Sequence, residues 1–83
     1  MPIAGLVIMT KPDKADEVLD ELKQVSGITT YGIHKDNNIV AVLDTTSIEA
    51  LKSTSLHILN DIPNVMGVYP SSVNYEDLGD LDN

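Results

Sequence analysis

The chain carries one pattern twice, and the duplication constrains the fold more than any other feature. An apolar strand, Ile3 to Met9, leads into an amphipathic helix, Pro12 to Val25, after which Gly27 opens another strand. Ile39 to Leu43 leads into a second amphipathic helix, Thr46 to Asn60, after which Gly67 opens a last strand. Two such units in 83 residues predict an α+β, ferredoxin-like split βαβ sandwich, βαββαβ, with two helices on one face of a four-stranded antiparallel sheet. The opposite face then has no layer to cover it and is the expected working surface.

The strands sharpen this expectation. Ile3 to Met9 and Ile39 to Leu43 are apolar at successive positions, so both sides of each strand are apolar and the two form the central pair. The second strand spans Ile28 to His34, rich in residues that favour extended chain. Lys35-Asp36-Asn37-Asn38 supplies the turn, since Asp and Asn tolerate left-handed backbone. The last strand, Met66 to Tyr75, contains Pro70; a residue that cannot donate to a ladder belongs on an edge, which fits the order 4-1-3-2. One domain, residues 1–75, is expected, with an acidic, mobile tail over 76–83.

The helices have start signals and buried stripes. Pro12 suits a first helical turn, and Asp13, Asp16 and Glu17 complement the helix dipole. Ala15, Val18, Leu19, Leu22 and Val25 share one face. Thr46-Ser47-Ile48-Glu49 reads as a capping box with Thr46 as N-cap, followed by a stripe of Ile48, Leu51, Ser55, Ile58 and Leu59. Sliding the first unit onto the second so that Val18 meets Leu51 also matches Val25 with Ile58, Leu6 with Ile39 and Ile8 with Ala41. In that register the helices cover Leu6, Ile8, Ile39 and Ala41, leaving Gly5, Val7, Met9, Val40, Val42 and Asp44 on the open face. A one-residue slip would exchange the faces of the third strand. In either register apolar residues face away from the helices, and such a patch marks a site for a partner or for a second copy in a weak homodimer.

Composition excludes several classes of function. A chain this short buries only roughly 60–65% of its unfolded surface, which favours a groove, an open face or an interface over a deep pocket. With no cysteine there is neither a disulfide nor a thiolate metal site. The longest apolar run falls well short of the about 20 residues that cross a bilayer and lacks the flanks of a signal peptide, so a cytoplasmic protein without membrane insertion is expected. A net charge of −8, with five scattered lysines as the only cationic side chains, disfavours nucleic acid and favours basic partners.

No catalytic constellation stands out, and no enzyme or cofactor is expected. His34 and His57 lack neighbours at ligand spacing. Ser71-Ser72 has no elbow motif, and no glycine-rich phosphate loop with lysine is present. Lys11 and Lys14 flank a helix start, a weak anion signal that Asp13 opposes. Tyr31, Tyr69 and Tyr75, without a basic patch around them, read as interface anchors or edge-of-core residues.

Four segments, taken together and in order, resemble the NapD family. They are Ile3-Ala4-Gly5-Leu6-Val7-Ile8, the helix exit Val25-Ser26-Gly27, the strand Ile39-Val40-Ala41-Val42-Leu43-Asp44, and Asn64-Val65-Met66-Gly67-Val68 running on to Val73-Asn74-Tyr75, with an acidic tail after them. The resemblance implies a cytoplasmic chaperone that binds the twin-arginine signal peptide of a periplasmic nitrate reductase catalytic subunit and delays export until molybdenum cofactor is inserted. It implies that the peptide lies on the open sheet face, on Gly5, Val7, Met9, Val40, Val42 and Asp44. Asp44 is the expected arginine contact, with the Glu76-Asp77 pair as a weaker one; Tyr31, Tyr75, Glu76 and Asp77 are the weaker candidates for peptide binding. Apart from the resemblance, the residues also allow a dimeric ferredoxin-like regulatory domain that binds a small ligand between subunits.

Overall fold

The computed structural model describes residues 3–35 and 37–71. Its elements are β1 (Ile3–Thr10), α1 (Ala15–Leu22), β2 (Ile28–His34), β3 (Asn38–Asp44), α2 (Ile48–Asp61) and β4 (Val65–Ser71). They form a four-stranded sheet in the order β2-β3-β1-β4, with every neighbouring pair antiparallel. Each helix therefore carries the chain over an intervening strand, which is the split βαβ arrangement of an α+β, ferredoxin-like fold. The expected last-strand residues 72–75 and the tail 76–83 lie outside the described residues.

Register decides which side each strand residue faces. Leu6 pairs with Ala41 and Ile8 with Ile39, and beyond them Ile8 pairs with Val68 and Ile39 with Ile33. Paired residues share a face. On this face Ile8, Ile39 and Ala41 form the core with Val18 and Leu22 from α1, Ile58 from α2 and Ile62 just after it. α1 lies over β2 and β3, and α2 lies over β4. Burying each large side chain of this set contributes about 1.5–3 kcal/mol. The molecule measures 34 × 31 × 18 Å. With packed layers about 10 Å apart, the described residues form one sheet and one helix layer along the short axis and no third layer.

Loop bonds join the two units at one end of the sheet. The Thr10 N–H donates to the Asn37 carbonyl at 2.9 Å, and the Lys11 N–H donates to the Asn64 carbonyl at 2.9 Å. Thr10 is buried, and its hydroxyl donates to the Lys11 carbonyl at 3.0 Å.

The helix ends differ from expectation. α1 begins at Ala15, because Asp13 adopts a left-handed φ of 65° and the Lys14 N–H closes a turn onto the Lys11 carbonyl at 3.1 Å. Pro12 and Asp13 thus form a turn and not a first helical turn. After Leu22, the Val25 N–H bonds the Leu22 carbonyl at 3.0 Å, a tighter turn that still packs Val25 on the core. The N-cap of α2 is Ser47, extended at φ −155°, whose hydroxyl accepts from the Ala50 N–H at 3.0 Å. Thr46 therefore does not cap, and with Ser47 as cap Glu49 is one position short of a box. The α2 stripe runs through Leu51, Ser55, Ile58 and Ile62, while Ile48 and Leu59 stand exposed. In the β2–β3 turn, Lys35 takes the left-handed backbone at φ 52°.

Candidate functional site

The face turned away from the helices is built row by row from the pairings. Ile3 stands opposite Asp44. Gly5 pairs with Val42, which pairs onward with Thr29. Val7 pairs with Val40 on one side and with Tyr69 on the other. Met9 pairs with Asn38 and Gly67, and Asn38 pairs onward with His34. The structure thus brings Gly5, Val7, Met9, Val40, Val42 and Asp44 together on one surface, and none of them belongs to the core beneath the helices.

This surface is apolar but shallow. Val7, Val40 and Met9 are half-buried, Gly5 is buried, and Val42 is only 7% exposed. The middle row, Val7 and Val40, is bounded by tyrosines on the two edge strands. Tyr69 stands on β4 and is 51% exposed. On β2, Tyr31 and Gly32 together oppose the single Val40, a bulge eased by the positive φ of Gly32 at 104°. Alternation from Thr29 carries Tyr31 to the open face, where it is 40% exposed. Three inter-strand gaps of about 4.8 Å set the two tyrosine backbones about 14 Å apart. A helix about 10 Å across, or an extended strand, fits between them.

The face is electrostatically polarised. Among the described strand residues, Asp44 is the only acidic side chain, and it is exposed beside Ile3 at the end of β3. All five lysines lie on helices or connecting segments. Gly27 holds the backbone of Asp44 in place: the Asp44 N–H donates to the Gly27 carbonyl at 2.9 Å. Tyr75, Glu76 and Asp77 lie outside the described residues.

Other parts of the molecule offer less chemistry. An open apolar groove of about 400 Å³ lies between α2 and the β1–β4 edge, where Leu51, Leu56 and Pro70 line it. A more polar cleft of about 470 Å³ separates the helices at Glu21 and His57. His57 bonds Asp61 at 2.8 Å on the exposed side of α2. Lys14 pairs with Glu17 at 3.1 Å, so its ammonium is already matched by a carboxylate. Among the described residues no cluster of three His, Cys, Asp or Glu groups converges on a metal position, and no helix is long and apolar enough to cross a membrane.

Sequence reasoning left out Ile3, Gly67 and Tyr69 as site residues. The available signal was the two-residue spacing of Gly67 and Tyr69, which puts both on one side of β4. Pairing Tyr69 with Val7 then selects the open side.

A search of the solved structures finds a similar fold in the chain titled "Crystal structure of PH0061", with a TM-score of 0.57 and 20% sequence identity. The match covers 87% of this chain and 53% of that one, so the present chain spans about half the length of its structural neighbour. At that identity the likeness concerns the fold alone. Among curated proteins none matches the sequence. The family model described as "NapD protein" matches residues 1–77, nearly the whole chain, and the protein belongs to the NapD family.

Proposed function

We propose that this protein is a chaperone that binds the twin-arginine signal peptide of a nitrate reductase catalytic subunit on its open sheet face. Family membership ties the chain to nitrate reductase maturation and to a chaperone-type role. The observation that carries the finer reading is the open face itself: an apolar row, Val7 and Val40, bounded by tyrosines and closed at one corner by Asp44, the sole carboxylate among the described strand residues. A twin-arginine peptide has the complementary layout, two adjacent cations followed by an apolar stretch. The apolar stretch would lie along Gly5, Val7, Met9, Val40 and Val42, with Tyr31 beside it, and an arginine would meet Asp44. Tyr75, Glu76 and Asp77 would extend the acidic end. Occupying the signal would hold back export while molybdenum cofactor enters the client in the cytoplasm. No step of this role calls on a catalytic group of the chaperone.

Calorimetric titration with a peptide carrying the paired arginines and the apolar stretch tests the reading. Micromolar or tighter binding is expected, weakened when both arginines become alanine. Val7→Glu should abolish binding while changing stability little, because it puts a charge on the half-buried open face and not in the core. Absence of binding to the unmodified protein would sink the proposal. Stabilisation by a free amino acid would instead favour a small-ligand regulatory domain.

A further inference from the structure

Tyr69 does not stand upright from β4. A Cβ built on Gly67 would lie 2.6 Å from the Tyr69 hydroxyl oxygen and 2.7 Å from its Cε2 and Cζ. The outer end of the ring therefore fills the space a side chain at position 67 would occupy. Gly67 is buried although it faces the open side, whereas half of Tyr69 remains exposed. The outer end of the ring thus sits over the glycine while half of the residue stays open to solvent.

The glycine is not needed for the backbone. The left-handed glycines are Gly27 and Gly32, and Gly67 is not among them. The missing side chain at 67 serves the ring. It lets an aromatic side chain lie along its own strand, toward the row of Met9, its cross-strand partner at Gly67. Among the described residues, the outer end of the ring thus points away from the neighbouring row, Val7 and Val40. Aromatic cover of a strand glycine by a neighbouring ring is a recognised stabilising device in sheets.

We propose that Gly67 and Tyr69 act as one unit: the glycine is a slot that lays the tyrosine ring flat, and the outward face of that ring is the aromatic end of the peptide-binding surface. Gly67 is a positioning residue and Tyr69 the contact residue. The ring face takes an aliphatic side chain from the apolar stretch of the peptide, beyond the Val7–Val40 row. This inference rests on the open face being the signal-peptide site.

Gly67→Ala is a clean probe, because the atoms it displaces are the far end of a mobile side chain and the backbone needs no change. The unmodified protein, Gly67→Ala, Tyr69→Ala and the double variant are titrated with the twin-arginine peptide, and circular dichroism checks that each is folded. Gly67→Ala and Tyr69→Ala should each weaken binding about fivefold to tenfold. The double variant should bind no more weakly than Tyr69→Ala alone, since the glycine acts only through the ring. In the free protein the Gly67 Hα protons should be shifted upfield by the ring current, and Tyr69→Ala should remove that shift. Full-strength binding by Gly67→Ala, additive losses in the double variant, or an unshifted Gly67 Hα would each overturn the inference and leave the functional reading standing. Failure of the unmodified protein to bind the peptide would overturn both.

Discussion

Three glycines in this molecule are required for different reasons, and substitution separates them. Gly27 has φ 85° and would drive an added Cβ into the carbonyl oxygen of Asp44, which is backbone and not the end of a flexible side chain. Gly32 has φ 104° with open space around it, so alanine there meets backbone strain alone. Gly67 has neither problem beyond the ring above it. Gly27→Ala should therefore destabilise by about 2–4 kcal/mol, combining left-handed strain with overpacking. Gly32→Ala should cost about 1–2 kcal/mol, and Gly67→Ala should fall within about 0.5 kcal/mol of the parent. Urea midpoints read the order directly, and a Gly27→Ala variant as stable as Gly67→Ala would refute it. The consequence is local: Gly27 positions the backbone of Asp44, the one carboxylate among the described residues of the strands.

At the level of elements, α2 offers the sharpest test, because three candidate caps, Thr45, Thr46 and Ser47, stand in a row. The hydroxyl of Ser47 accepts from Ala50, while that of Thr45 donates to the Ser47 carbonyl at 2.8 Å. Ser47→Ala should cost about 1 kcal/mol, and Thr46→Ala should lie within about 0.5 kcal/mol of zero. On the same helix, Ile58→Ala should cost about 2–5 kcal/mol, whereas Leu56, exposed at the groove, should tolerate alanine with far less loss; thermal melts compare all four. The order of strands and helices was legible in the sequence because the pattern repeats. The repeat also suggested Leu6, Ile8, Ile39 and Ala41 for the helix side, but strands apolar at every position leave a one-residue slip open, and only the pairing of Leu6 with Ala41 and Ile8 with Ile39 decides the face. The helix ends were not legible, since a run of hydroxyl residues satisfies the same propensity at each position and only the backbone path selects Ser47. The α2 stripe was misjudged for a related reason. Ile48 and Leu59 are apolar enough to join it, but the helix is rotated to place Leu51, Ser55, Ile58 and Ile62 inward. Tyr69 reads in the sequence as an interface anchor or edge-of-core residue, but the lie of its ring over Gly67 is a matter of side-chain direction that composition does not carry.

For the whole molecule, the decisive property is how charge is distributed relative to the bare face. Of the net charge of −8, α1 carries four acidic residues and no lysine, and residues 76–83 carry four more, whereas the connecting segments hold more lysines than acids and the described strands contribute Asp44 alone. Two electrostatic effects on a cationic peptide follow, and they differ in range. On the proposed reading, the summed field would attract the peptide before contact and act on the association rate, whereas Asp44 would meet an arginine only in the complex. Salt separates them, since the Debye length shrinks from about 10 Å at 0.1 M to about 3 Å at 1 M. Stopped-flow association should slow by about tenfold or more from low to high salt, with dissociation changing much less. Asp44→Asn should weaken binding about twofold to fivefold, the scale of one exposed ion pair, mainly through faster dissociation. Peptide lacking both arginines should show little salt dependence and little response to Asp44→Asn. If association proves independent of salt, or if the arginine-free peptide responds to Asp44→Asn as strongly as the parent, the acidic surface plays no part in choosing the partner. The apolar face alone would then have to account for recognition.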